Sequence, residues 1–300
     1  MKDWVISHAL CHDGLAGAWV ANRFNPEFEI YFTSRKNEWK EEIGSFIQPN
    51  DFVYFIDYTP DPADLEDFQK RSIEFLVLDH HETDFRNVTN YDKRHGSNLL
   101  SFCKYDLKNA GCVVAWNHFF PDQKLPLMLK YVAIADIYAW GDGEWDHAVV
   151  QYIRNIIDPD ASIAEFDSLL KDFNEDYAYA EGKNVYRRIC KEVDFMASRA
   201  YLMNFDGVEV LGINSSLYHS EVGHEIAIKS PTGLGVVYTY SPVYDSVKIS
   251  VRGSGQGQSA NLFAENYGGG GHPLAAGFSM TIDQFDKYLK TAKKNAKMEA

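Results

Sequence analysis

The stretch Phe75-Leu76-Val77-Leu78-Asp79-His80-His81 decides the reading of this chain. Four apolar residues in a row, too short for a helix, read as a strand buried on both faces, the habit of parallel sheets. An acid and two imidazoles then stand at its C-terminal end, where open α/β sheets bind their ligands. Glu82-Thr83-Asp84 follows at once.

Outward from this strand the same arrangement recurs. Trp4 to Ser7 is a short β-prone run followed by His8, Asp13 and Gly14, and Leu15 to Phe24 has helical spacing. Glu29 to Thr33 is a second β-prone run, leading to a polar helix over Asn37 to Ile47. Asp51 to Ile56 is a third, ending at Asp57. Pro60 and Pro62 break the chain there, and Ala63 to Arg71 reads as a helix with acids in its first turn. This βαβα rhythm predicts an N-terminal, mostly parallel sheet flanked by helices on both faces. From Gly111 the chain turns helical, over Cys112 to Phe120, Pro126 to Trp140 with Asp136 inside it, and Ala161 to Ala200. After Phe205 the β-prone runs Val208 to Ile213, Glu225 to Lys229, Val236 to Tyr240 and Val247 to Val251 predict a smaller C-terminal α/β domain, closed by a helix over Asp283 to Lys294. The expected division is a first domain over 1–195, a linker over 196–204 and a second domain over 205–300.

The 300 residues are 45% hydrophobic and 24% charged, enough to bury large cores without disulfide staples. The net charge of -14 disfavours extended duplex DNA, whose phosphates demand several Lys or Arg. Cys11, Cys103, Cys112 and Cys190 form no CxxC, so neither a zinc cluster nor a disulfide framework is expected, and a reducing cytoplasm fits. The N-terminus lacks the apolar stretch of a signal peptide. No apolar run approaches the ~18 residues of a membrane span.

The acids and imidazoles of the first domain carry the chemistry. Alone, each has an ordinary explanation: His8 as a satisfied histidine, Asp57 as a cap for the turn Tyr58-Thr59-Pro60, Asp136 as the partner of a nearby cation. Together, several stand just after strand-like runs whose C-terminal ends lie side by side in a parallel sheet. Mixed carboxylate and imidazole donors suit Mn2+, Mg2+ or Co2+. A carboxylate shared between two ions ~3.5–4 Å apart makes a clamp for phosphoryl oxygens, and the pair activates water. Near the C-terminus, Gly268-Gly269-Gly270-Gly271-His272 reads as a ligand loop exposing backbone N–H groups, and Ala275-Ala276-Gly277 as the small-residue start of a helix behind it. Arg252, after the run Val247 to Val251, offers a fork to phosphate or carboxylate. Cys11, between His8 and Asp13, is a candidate nucleophile without an adjacent base.

These residues resemble the DHH/DHHA1 phosphoesterases, which include nano-RNases, pAp phosphatases, linear and cyclic dinucleotide phosphodiesterases and RecJ-type exonucleases. Asp79-His80-His81 matches the naming motif, and Gly269-Gly270-Gly271-His272 with Ala275-Ala276-Gly277 the C-terminal signature, so the resemblance spans nearly the whole chain. It implies a DHH catalytic domain followed by a DHHA1 substrate-binding domain. It further implies two Mn2+ ions held by His8, Asp13, Asp57, His80 and Asp136, with Asp57 bridging them. His81 would face the scissile phosphate, and Asp79 would ligate or orient His80. The catalytic set is thus His81, Asp57 and Asp79. Arg252, Gly269, Gly270, Gly271 and His272 would grip the nucleotide or its terminal phosphate. One departure stands out. Many members carry two aspartates in the first motif, whereas His8-Ala9-Leu10-Cys11-His12-Asp13-Gly14 carries one, like a subgroup with His, Cys and Asp-Gly there. His12 is the residue that a carboxylate-poor site would recruit.

The resulting expectation is a cytoplasmic, Mn2+-dependent phosphodiesterase or phosphatase acting on short oligonucleotides or small phosphorylated nucleotides, with a homodimer as the assembly frequent in the family. Its rivals are a RecJ-like single-strand exonuclease, which the acidic balance opposes, a polyphosphate or pyrophosphate hydrolase, and a nucleotide sensor without turnover.

Overall fold

A computed structural model describes residues 2–34, 38–141 and 143–296. The chain divides into two compact units, Met1–Tyr186 and Arg187–Ala300.

The first unit is the expected parallel sheet. Its strands are β1 (Asp3–His8), β2 (Glu29–Thr33), β3 (Phe52–Ile56), β4 (Glu74–Asp79) and β5 (Cys103–Tyr105). Every neighbouring pair is parallel, in the order β2-β1-β3-β4-β5. Helices α1 (His12–Phe24), α2 (Glu38–Glu42), α3 (Pro62–Lys70), α4 (Glu82–His95), α5 (Gly111–Phe119), α6 (Leu127–Asp136), α7 (Glu144–Ile156), α8 (Ile163–Lys171) and α9 (Glu175–Ala197) alternate with or follow the strands. Asn37, the expected start of α2, lies outside the described residues.

The two faces follow from alternation along the strands. Val5, Ile56 and Leu78 point to one side, into a core with Leu15, Trp19, Val113, Trp116, Leu129 and Val149 from the helices. Ile6, Val53, Phe55, Phe75 and Val77 point to the other, against Trp39, Leu65, Phe68 and Val88. Two buried indole N–H groups are matched, Trp19 Nε1 donating to Asp167 at 3.1 Å and Trp39 Nε1 to Tyr58 at 3.1 Å.

The second unit holds β6 (Tyr201–Phe205), β7 (Val208–Asn214), α10 (His219–Lys229), β8 (Leu234–Ser241), β9 (Ser246–Gly253), α11 (Ala260–Glu265), β10 (Gly270–Gly271), β11 (Ala275–Thr281) and α12 (Ile282–Ala296). The mixed sheet runs β10-β11-β9-β8-β7-β6, with only β7 and β8 parallel among its pairs. Two expectations are corrected here. Glu225 to Lys229 is the end of helix α10, not a strand: Val222 and Ile226, one turn apart, are buried while Ile228 is 59% exposed. Ala275-Ala276-Gly277 opens strand β11, not a helix, because Ala276 pairs with Val251 and Gly277 with Ser250. The division between units falls within α9, whose last residues and the first of β6 occupy much of the expected 196–204 linker. No helix among the described residues is long and apolar enough to cross a membrane.

At the N-terminal rim of the first sheet, Asp51 is 4% exposed. It accepts from Lys2 N at 2.7 Å, Gln48 N at 3.0 Å and Trp4 Nε1 at 3.2 Å. Burial alone would raise its pKa, but these donors outweigh burial and leave it below the usual value. Its stabilising contribution is therefore full above the ordinary carboxylate range and is lost as pH falls through the folded value. Asp51→Ala is expected to lower unfolding stability by about 2–4 kcal/mol at neutral pH, with a smaller deficit in acid. Urea denaturation at the two pH values measures both; an equal deficit at each contradicts the linkage.

Candidate metal centre

The strand order places a reversal of direction between β1 and β3, because the chain leaves β1 toward β2 on one side and returns to β3 on the other. A crevice opens at such a switch point beyond the C-terminal strand ends. His8 ends β1, Asp57 follows β3 directly, and Asp79 ends β4 with His80 and His81 behind it. Asp57 holds φ +53°, a left-handed conformation rare for a residue with a side chain. Its amide donates to the Leu78 carbonyl at 3.0 Å, which fixes the turn.

Five expected ligands meet here. Asp57 Oδ1 is 3.1 Å from His80 Nε2, and its Oδ2 is 3.5 Å from His8 Nδ1. His80 Nε2 is also 3.3 Å from Asp136 Oδ2 and 3.7 Å from Asp13 Oδ2. Asp13, in the first turn of α1, accepts from the amides of Gly111 at 2.6 Å and Cys112 at 2.9 Å, the start of α5. A helix N-terminus is a favourable seat for an anion. Asp136 is the last residue of α6, where a negative charge is unfavourable, so local helix energetics do not explain it.

Asp79 is fully buried and engaged by the protein itself. Its Oδ2 accepts from Thr59 Oγ1, which is 2.9 Å from Tyr105 Oη. Its Oδ1 accepts from His80 N at 2.7 Å and His81 N at 3.3 Å, and lies 2.8 Å from His81 Nδ1. The carboxylate thus fixes the ring of His81, whereas the expectation was that Asp79 would ligate or orient His80.

Burial pushes Asp13 well above the usual carboxylate range, and the charges of Asp57 and Asp136 add to it. Burial raises Asp136 too, against His80. For Asp57 burial opposes ionisation, but the imidazoles of His8 and His80 outweigh it and hold the group far below that range. His80 would be lowered by burial, yet Asp57 and Asp136 carry it to about 9. Asp79 stays at about 2 because His81 overcomes its desolvation.

A divalent ion fits this set. Oδ2 of Asp57 and Oδ2 of Asp136 are buried without a hydrogen-bond partner among the described residues. Donor atoms of Asp13, His80 and Asp136 lie within 4.8 Å of one another, as do those of His8, Cys11 and Asp57, and of Asp57, Asp79, His80 and His81. Hard carboxylate oxygens with imidazole nitrogens match Mn2+, Mg2+ or Co2+.

Sequence reasoning missed part of this. His12 does not turn toward the cluster; its Nε2 lies 3.0 Å from the carbonyl of Ile157. Cys11 does, and burial with the nearby charges of Asp57 and Asp136 pushes its thiol pKa up, which removes the basis for a nucleophilic role. Gly111 is a packing requirement: a Cβ there would stand 2.6 Å from Asp57 Cβ and 3.0 Å from Asp13 Oδ2.

The remaining candidates belong to the second unit. Arg252, on β9, donates from Nη2 to Ser220 Oγ at 2.8 Å and from Nη1 to the Val251 carbonyl at 2.9 Å. The glycine run is not a free loop. Gly270 and Gly271 pair with Gly277 and Ala276, and His272 N donates to Ala275 O at 2.7 Å to close the turn. Gly271, at φ +137°, leaves no room for a Cβ, which would meet Ala275 O at 2.5 Å.

Gly111→Ala is expected to weaken divalent-cation binding on the order of 10–100-fold by displacing the Asp13 and Asp57 carboxylates, as loss of ligand support does elsewhere. Calorimetric titration measures this; unchanged affinity with retained circular dichroism contradicts it.

A DHHA1 domain model matches residues 227–298. An uncharacterized protein of Acanthamoeba polyphaga mimivirus is 24% identical over 302 residues, covering 93% of this chain and 68% of that protein. Among solved structures, the pGpG-specific phosphodiesterase PggH of Vibrio cholerae shares the fold at TM-score 0.50 and 14% identity, covering 100% of both chains. RecJ of Thermus thermophilus, in complex with Mn2+, does so at TM-score 0.50 and 15% identity, covering 99% of this chain and 52% of that one. Residues 227–298 thus carry a DHHA1 domain, and the chain as a whole shares the fold of these two proteins.

Proposed function

We propose that this chain is a divalent-cation-dependent phosphoesterase that hydrolyses short oligonucleotides or small phosphorylated nucleotides, with two Mn2+ ions as its cofactors. The observation that carries this reading is the buried Asp57 carboxylate, one oxygen 3.1 Å from His80 and the other 3.5 Å from His8. Such a group, flanked by two donor sets, is suited to serve two ions at once. Ions held by His8, Asp13, Asp57, His80 and Asp136 would supply a water of lowered pKa and neutralise phosphoryl oxygens.

The chain's own residues do the rest. Asp79 locks His81 through Nδ1, so Nε2 is the ring position that faces the scissile phosphate. Asp79 is then a positioning residue. Arg252, His272 and the backbone of Gly269, Gly270 and Gly271 are the proposed grip on the substrate's phosphate, and all lie within the matched DHHA1 region. The net charge of -14 favours short substrates over polymers with many phosphates. Two proteins of the same fold support the class: one is described as a pGpG-specific phosphodiesterase and the other was seen with Mn2+.

The test incubates the purified protein with end-labelled dinucleotides, a long single strand and inorganic polyphosphate, with Mn2+ or with chelator. Dinucleotides are expected to be cleaved only with the cation, and the long strand to persist. Asp57→Ala should abolish turnover. His81→Gln should lower kcat about 10²–10⁴-fold while keeping Mn2+ affinity, the range for loss of a proton-transfer group. Failure to cleave any dinucleotide with Mn2+, Mg2+ or Co2+ overturns the reading, and preferred cleavage of polyphosphate reassigns the substrate.

A further inference from the structure

One side chain at the metal centre has no part in the reading above. Cys11 is the N-cap of α1, with φ -135° and ψ 133°, midway between His8 and Asp13 in sequence. Its Sγ, a ring nitrogen of His8 and a carboxylate oxygen of Asp57 lie within 4.8 Å of one another. This triad is separate from Asp13, His80 and Asp136, which satisfy the same limit. Asp57 is 2% exposed, and its Oδ2, the oxygen toward His8, has no hydrogen-bond partner among the described residues. A buried carboxylate oxygen left so is costly unless a cation completes it.

We propose that the second cation position of this chain is built by His8, Cys11 and Asp57, with Cys11 Sγ as a direct ligand. The proposal rests on the divalent-cation reading and goes beyond it by naming a sulfur donor. The chain would then hold one ion in a set of oxygen and nitrogen donors and another in a set that includes a thiolate. Sulfur selects borderline metals, so this position prefers Co2+, Zn2+ or Fe2+ to Mg2+. Three protein ligands also leave a coordination position open, as hydrolytic sites require. The thiol gives up its proton as it ligates.

The full-length protein is titrated with Co2+ and followed by near-ultraviolet absorption, where thiolate-to-cobalt charge transfer appears. The wild type is expected to show this band. Cys11→Ser should lose it and bind the second equivalent of Co2+ at least about tenfold more weakly, the scale of a damaged ligand set. Serine is a favoured N-cap, so the variant keeps α1 in place, which circular dichroism checks. Cys103→Ser and Cys190→Ser should retain the band. Cys11→Asp should lack the band, keep two equivalents and shift preference toward Mn2+. Two equivalents of Co2+ bound by the wild type without charge transfer, or a band that survives in Cys11→Ser, overturns the Cys11 assignment alone. Absence of any Co2+, Zn2+ or Mn2+ binding overturns the assignment and the divalent-cation reading together.

Discussion

Parallel strands must end side by side, and here the connections leave β1 and β3 in opposite directions. That constraint puts His8 and Asp57 at the lip of one crevice, with Asp79, His80 and His81 at the end of the adjoining strand. Everything else at the centre is arranged around it. The left-handed turn at Asp57 aims its carboxylate inward, and the start of α5 holds Asp13 against it through two amides. Gly111 is bare because those two acids occupy the space a side chain would need.

The cluster is electrostatically costly as it stands. Asp13, Asp57, Asp79 and Asp136 gather where burial disfavours their charges, and the neighbouring imidazoles compensate by holding protons. Charge crowded in this way costs folding free energy unless a cation relieves it. Functional centres are where such arrangements concentrate. Asp51, at the other end of the same strands, shows the contrast: three donors satisfy it, and it needs nothing more.

Much of this architecture was legible because strands buried on both faces announce themselves as unbroken apolar runs. Glu74–Asp79 and Phe52–Ile56 are of that kind, the first ending on Asp79 and the second followed directly by Asp57 at the rim. Partly exposed elements misled. Glu225 to Lys229 alternates like a strand, but the second apolar position, Ile228, faces solvent and the real period is the helical step from Val222 to Ile226. The small residues at 275–277 suit a helix and a strand equally, and only pairing with β9 decides. β5 is three residues long, too short to carry a period. Within the site, Asp79 could not be separated from the ligands by sequence, since its saturation depends on Thr59, twenty positions away. Cys11 was legible only as a candidate nucleophile, because one thiol outside a CxxC pattern does not announce a metal ligand.

The first domain keeps its structural anchor and its donor-bearing rim at opposite ends of the same five strands. Substitutions that retune the rim leave the anchor's hydrogen bonds and both apolar faces intact. A lineage carrying this domain can therefore exchange donor atoms at the rim without first acquiring a sturdier scaffold.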